Sequence, residues 1–299
     1  MQELSRRIAV VTCAEVPQLD EDGPALCEAL AQRGLHAEPA VWDDPSVDWS
    51  AYELAVVRST WDYPQRRDAF LAWASRADAE TRVRNAPAVL RVSTDKCYLR
   101  TLEQAGVPVV PTIWLDPRQT SEPPADMWCI AQELVVKPSI SAGSKNTARF
   151  APVHEKSLRE LVTKLLAEGR TVMLQPYVKA VDDVGETAVI YLGDEFSHAI
   201  YKGPLLESGG GLEQGLFRQE TIRRREATAA QRRIAEMALD AMPVDRSSLL
   251  YARVDLVPGP DDLPCVLEVE LAEPSLFLSY HEHATERFAS CIAAAVHRA

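Results

Sequence analysis

Lysine is scarce in this chain. Only seven of its 32 basic residues are Lys, at positions 96, 137, 145, 156, 164, 179 and 202, so the placement of each one is informative. Zinc spacing is absent as well. The six cysteines include no C-x-x-C pair and no Cys/His cluster of the metal-binding type. A disulfide scaffold is not expected in a chain of 299 residues without a secretory signal. The first apolar run, Ile8 to Thr12, is the length of a strand rather than of a signal sequence. No apolar stretch approaches the ~18 residues of a membrane helix. The net charge of −12 argues against nucleic acid and anionic membranes as main partners, since both attract basic proteins. Neither a G-x-G-x-x-G fingerprint nor a Walker A loop is present. Internal repeats and low-complexity tails are missing too. The expectation is a soluble cytoplasmic protein acting on a small molecule, with self-association into a homo-oligomer left open.

What is present is an alternation of strand and helix signals. Arg7–Thr12 and Leu54–Val57 read as buried strands, and Gly23–Gly34 and Arg67–Ala77 as helices, which suggests a parallel α/β domain over residues 1–92. A second block, 93–177, opens with a helix capped by Thr94-Asp95 and ending at Gly106. Strands Val109–Leu115, Glu133–Lys137 and Thr171–Gln175 follow, with a helix at Glu155–Glu168. A third block, 178–299, holds the hairpin Glu186–Leu192 and Glu195–Lys202, and a Gly-rich loop from Ser208 to Gly215. After these come a helix near Arg225–Met242, the hairpin Tyr251–Val257 with Pro264–Leu271, and a closing helix over Thr285–His297.

The last hairpin is the most informative stretch. Strand side chains alternate between faces. Ala252, Val254 and Leu256 share one face with Leu267, Val269 and Leu271, while Arg253, Asp255, Glu268 and Glu270 share the other. A solvated polar face is the plainer reading of one alternating strand. Three carboxylates facing each other across a pair repel, however, and acidic residues are depleted in strands. A divalent cation between them resolves the conflict, and magnesium prefers a few carboxylates with phosphate oxygens and water.

The lysines point the same way. Lys137 and Lys202 end strands at the mouth of a sheet, and Lys96 is expected in the first turn of a helix, where a cation opposes the macrodipole. Each alone reads as a surface lysine; together they suggest polyphosphate binding. The small polar loop from Pro138 to Thr147 suits backbone amides that cover phosphates.

Taken in order, Lys96, Lys137, the small-residue loop, Gln175-Pro-Tyr-Val178, Gly185-Glu186, Lys202, Arg253-x-Asp255 and Glu268-x-Glu270 resemble the ATP-grasp superfamily across residues 92–278. The resemblance implies an α/β N-terminal domain followed by two α+β subdomains that clamp ATP. It implies Lys96 and Lys137 at the phosphates, with Ser141, Gly143 and Ser144 in the covering loop. Gln175, Tyr177 and Val178 line the adenine, and Asp182 or Asp183 takes the ribose. Lys202 meets phosphate, Arg253 stabilises the transferring phosphoryl group, and Asp255, Glu268 and Glu270 hold two Mg²⁺, or Mn²⁺ in their place. The usual ending Glu-x-Asn-x-x-Pro-Gly reads here Glu268-Val-Glu270-Leu-Ala-Glu273-Pro274-Ser275, which changes the acceptor end.

Arg58-Ser-Thr-Trp-Asp-Tyr63 follows the second strand, in the crevice where open α/β sheets bind ligands. With Asp95-Lys-Cys-Tyr98 and the hairpin ending, it resembles a distinct ATP-grasp subgroup, the cyclo-ligases of D-cycloserine biosynthesis, which act on O-ureido-D-serine. Arg58, Trp61, Arg218, Glu273 and Ser275 are the candidate contacts for this amino-acid-like substrate. A dipeptide-type ligase and a non-catalytic ATP-binding regulator are the competing readings, and the intact carboxylate set disfavours the second. A metal centre on His281-Glu-His283 fits no recognised ligand spacing.

Overall fold

The computed structural model describes residues 6–143, 146–206, 221–260 and 263–297. It contains three sheets, each drawn from a consecutive stretch of chain. The first is built from β1 (Arg6–Thr12), β2 (Leu35–Val41), β3 (Leu54–Ser59) and β4 (Arg82–Arg84), all parallel in the order β2-β1-β3-β4. α1 (Gly23–Ala31), α2 (Arg67–Glu80) and α3 (Pro87–Ser93) connect and cover it. β1 and β3 are apolar because both are central. The edge strand β2 carries His36, Glu38 and Pro39, which only an edge tolerates, and this polar pattern hides it in the sequence.

The second sheet is antiparallel. α4 (Tyr98–Gln104) leads to β5 (Ile113–Leu115), β6 (Leu134–Pro138), β7 (Ala148–Phe150), α5 (Glu155–Ala167) and β8 (Val172–Pro176), with strand order β5-β8-β6-β7. α5 buries Leu158, Leu161, Val162, Leu165 and Leu166, a stripe with helical spacing. At ~2 kcal/mol per buried side chain, this face supplies roughly 10 kcal/mol of gross burial before entropy. The expected strand over 109–115 is shorter. Pro111 interrupts it, and its first half bridges Val266 instead, with Val110 N donating to Val266 O.

The third sheet is built from β9 (Glu186–Leu192), β10 (Glu195–Lys202), β11 (Ile222–Arg225), β12 (Tyr251–Pro258) and β13 (Pro264–Glu270), antiparallel in the order β11-β10-β9-β12-β13. α6 (Ala180–Val184) precedes it, while α7 (Ala229–Ala241) packs on β12 and β13 and α8 (Ala284–His297) packs against α1. Two sequence expectations change here. Arg225 belongs to edge strand β11 rather than to a helix, and α7 starts later, at the Thr228–Gln231 capping box. Lys96 lies two residues before α4, in the turn closed by Tyr98 N on Asp95 O, so it does not oppose that helix from within.

The first and third sheets are joined through buried polar contacts. The Tyr251 hydroxyl lies 2.6 Å from Val57 O and 2.7 Å from Ala272 O. Asn85 accepts from Leu250 N at 2.7 Å and donates to Leu271 O at 2.7 Å. Tyr251→Phe leaves two buried carbonyls without this donor. We expect it to lower the unfolding free energy by about 2 kcal/mol, seen as a fall in the urea midpoint with unchanged slope.

Candidate active site

The antiparallel register of β12 and β13 sets Arg253 opposite Glu270 and Asp255 opposite Glu268. Alternation turns all four side chains to one face, as their spacing suggests. A bulge follows between Asp255 and Leu256, where Leu256 pairs with Val266 and leaves Leu267 as the extra residue. Leu267 therefore leaves the face of Val269 and Leu271, where alternation alone puts it. It packs with Val110, Val178, Val181 and Val257.

This face forms one wall of a cavity of about 770 Å³ between the three sheets. The carboxylates on it are held by the protein's own cations. Arg253 binds Asp255 in a bidentate manner, Nε at 2.8 Å and Nη2 at 3.0 Å, and Nη2 also reaches Glu270. Lys202 Nζ is 3.0 Å from Asp255 and 3.6 Å from Glu186. Lys96 Nζ is 2.9 Å from Glu268 and donates to Ser141 O at 2.8 Å. The electrostatic conflict expected of the hairpin is thus relieved first by lysine and arginine.

Burial and pairing drive the carboxyl groups apart. Burial raises Asp255, but Arg253 and Lys202 outweigh it and hold the group at about 2. Glu270 shares Arg253 yet receives fewer donors, so burial, with help from Glu268 and Asp255, lifts it to about 7. Glu273 is raised well above the carboxylate range by burial and by Glu270. Burial brings the Lys137 ammonium down to about 8, against the pull of Glu268. The donor set fits magnesium. Glu268 and Glu270 keep 23% and 24% of their side-chain surface open, leaving oxygens for an ion shared with phosphate. Among the described residues, the tight group of metal-capable atoms is a different one, Cys13, Glu15 and Asp62, within 4.8 Å of one another and off this wall.

At one end of the cavity the apolar side chains Val110, Val135, Val178, Val181, Val257 and Leu267 form a slot beside Gln175 and Tyr177. Gln175 is fixed by Thr112 Oγ1 at 2.9 Å, and Arg149 covers the Tyr177 ring at 3.5 Å. Asp182 and Asp183 are not on the cavity wall. Asp182 accepts from the Tyr177 hydroxyl and pairs with Arg149, so it braces the slot from behind. Lys137, Ser141 and the exposed Gly143 line the cavity below the slot.

At the other end stand Trp61, Glu273 and Ser275. Arg58 lies off the wall. It is 2% exposed, donates to Pro274 O at 2.9 Å and pairs with Asp20 at 3.3 Å. Its role as a direct substrate contact is therefore replaced by that of a clasp between the first and third sheets. His281 stacks on His198 at 5.4 Å, while the His283 side chain is solvent-exposed beside Glu282. Ser144, Arg218 and the Gly-rich loop from Ser208 to Gly215 lie outside the described residues.

The cavity also recruits residues to which the sequence reading gives no role. Glu186 lines it beside Lys202, and its signal was its place after Gly185, a positive-φ glycine that opens β9. Asp20 and Asp22 line it from the loop after β1. The crevice rule that singles out Arg58–Tyr63 at the end of β3 applies equally to the neighbouring strand β1 and points to this loop.

Comparison with known proteins agrees with this geometry. Residues 8–85 match the family described as D-cycloserine synthetase DcsG, N-terminal domain. The cycloserine biosynthesis protein DcsG of Streptomyces lavendulae is 38% identical over 295 residues, covering 96% of this chain and 97% of that protein. The crystal structure of D-cycloserine synthetase DcsG superposes with a TM-score of 0.87 at 37% identity, over 97% of this chain and 99% of that one. The ATP-grasp ligase PsnB, solved with minimal precursor, Mg and ADP, shares the fold at a TM-score of 0.60 and 18% identity, over 96% of each chain.

Asp255 supplies a test of the ionic wall. Its carboxyl is depressed from 3.8 to about 2 on folding, so its contribution to stability is complete above pH 3.8 and lost as pH falls through 2. Asp255→Asn should cost about 3 kcal/mol at neutral pH by leaving Lys202 and Arg253 underpaired. The gap between wild type and variant, read by urea unfolding, should narrow as pH drops from 4 toward 2.

Proposed function

The chain belongs to the D-cycloserine synthetase family of ATP-grasp ligases, and on that premise we propose that it closes O-ureido-D-serine into D-cycloserine in the cytoplasm. It is an ATP-dependent ligase that uses magnesium, with a small-molecule substrate. The observation that carries the assignment of its site is the β12–β13 register, which sets Arg253, Asp255, Glu268 and Glu270 on one cavity wall with Lys96 and Lys202 bonded to it.

In this reading the adenine occupies the apolar slot beside Gln175, Tyr177 and Val178, and the phosphates meet Lys96, Lys137 and Lys202 under the Ser141–Gly143 loop. Asp255, Glu268 and Glu270 are the residues to hold two magnesium ions, which supply charge neutralisation at the phosphates. Arg253 lies against Glu270 and donates to Ser275 O at 3.0 Å, so its guanidinium sits between the metal wall and the acceptor end. There it stabilises the phosphoryl group as it passes to the substrate carboxylate, the main demand of phosphoryl transfer.

The product of that step is an acyl phosphate. The oxygen-bound ureido nitrogen of the same molecule attacks the acyl carbon, gives up its proton, and expels inorganic phosphate. A five-membered ring forms, and one water then releases the carbamoyl group as CO2 and NH3. Intramolecular attack gives a large proximity advantage, so the enclosed cavity has two tasks: to fold the substrate and to keep water from the acyl phosphate.

Phosphate release from ATP and Mg²⁺ tests the reading directly. Release that depends on O-ureido-D-serine and accompanies D-cycloserine formation is expected. Release only when two amino acids are supplied together would replace the cyclo-ligase with a peptide-type ligase. Glu268→Gln keeps an acceptor for Lys96 but removes a charge, so it should preserve the thermal midpoint while cutting turnover by more than about 100-fold. A near wild-type rate in that variant would remove Glu268 from the metal site.

A further inference from the structure

The cations of the cavity wall are confined to one half. Lys96, Lys137, Lys202 and Arg253 line the half next to the slot, matched there by Glu186, Asp255, Glu268 and Glu270. The opposite end, closed by residues 19–22, Trp61 and 273–280, has acidic side chains and no cationic one on its wall: Asp20, Glu21, Asp22 and Glu273. Arg253 marks the border, with Nη1 on Ser275 O at 3.0 Å.

Three of these acids are accounted for. Asp20 is paired with Arg58 at 3.3 Å. Asp22 accepts from Leu278 N at 3.0 Å and Ser279 N at 3.3 Å, stapling the loop after β1 to the far wall. Glu21 is exposed to solvent. Glu273 differs from all three. It is 6% exposed and on the cavity wall, and its carboxylate has no hydrogen bond or ion pair among the described residues. Lys96, whose charge reaches it, is bonded to Glu268 and Ser141. The backbone around Glu273 is fixed from two sides: Trp61 Nε1 donates to its carbonyl at 3.0 Å, and Arg58 holds the carbonyl of Pro274. A rigidly placed, buried carboxyl group without a partner is costly to ionise, which is why burial holds its proton on, and a cationic ligand offsets that cost.

We propose that Glu273 is the receptor for the α-ammonium group of the substrate. The amino-acid substrate is then bound with its ammonium at the acidic end and its carboxylate toward Arg253 and the lysines. Trp61 and Arg58 are positioning residues, acting through the backbone of 273–274. The inference rests on reading the chain as a carboxylate-activating ligase, and it adds which end of the substrate is recognised and by what.

The test compares kcat/KM for ATP-dependent phosphate release with O-ureido-D-serine and with 3-(ureidooxy)propanoate, the same acid lacking the amino group. Wild type should favour the amino acid by about 30-fold, the worth of a charge-assisted hydrogen bond. Glu273→Gln should reduce this preference to about threefold, with KM for ATP unchanged. Glu273→Asp keeps the charge but withdraws it by one methylene; it should lose part of the preference and serves where the amide variant does not fold. A preference that is unchanged in both variants, or absent from wild type, overturns the role of Glu273 and leaves the ligase standing. A wild type inert toward O-ureido-D-serine overturns the cyclo-ligase reading, and the inference falls with it.

Discussion

The structure turns on keeping several charges buried together on one strand pair. Asp255, Glu268 and Glu270 project from β12 and β13 into an enclosed space, and carboxylates so placed are tolerated only with partners. Those partners come from different parts of the chain. Arg253 is on β12 itself, Lys202 ends β10, and Lys96 stands ahead of α4. Satisfying the charges therefore fixes the second and third sheets against each other. The ion pairs are weak evidence for stability as such, because desolvation offsets most of their attraction. What they specify is geometry.

The opposite side of the same strands packs under α7, and their ends meet the first sheet. Tyr251, the first residue of β12, sends its hydroxyl to Val57 and Ala272, and Arg58 passes over its ring to reach Pro274. Leu271, just past β13, receives the Asn85 amide on its carbonyl and donates its own N–H to Ser93. One hairpin is thus polar toward the cavity and braced at its ends by the N-terminal sheet. The slot and the acidic end are built on a shared rigid element, as a reaction between two bound molecules requires.

Much of this was legible in the sequence because strand alternation is backbone geometry. Asp255 and Glu268 need only the pairing of two strands to become neighbours. The three lysines were informative through their rarity. What escaped depended on contacts that no local pattern records. Leu267 changed sides because a bulge inserts one residue. Arg58 looked like a ligand group from its position at the C-terminal end of β3, yet its guanidinium is taken by Pro274 and Asp20, more than 200 residues and 38 residues away in the chain. β2 and β11 were hidden because edge strands carry polar residues that resemble loop or helix surface. Glu273 was visible as an odd residue in a family ending, but its lack of a partner is a property of three dimensions.

Lys96 connects two things that are otherwise separate. Its single ammonium holds Ser141, in the loop after β6, and Glu268 of β13 at once. In the proposed reading, a phosphate oxygen that takes up this ammonium must share it or displace one of those acceptors. If Glu268 is released, it becomes an unpaired anion at the moment a cation arrives with the nucleotide. Anion and cation then enter by an exchange of partners rather than by simple addition, and each arrival favours the other by reciprocal linkage. In that reading the ion-paired wall is a placeholder for the loaded one, and the loop bearing Ser141 loses its tether to Lys96 to the extent that the exchange proceeds.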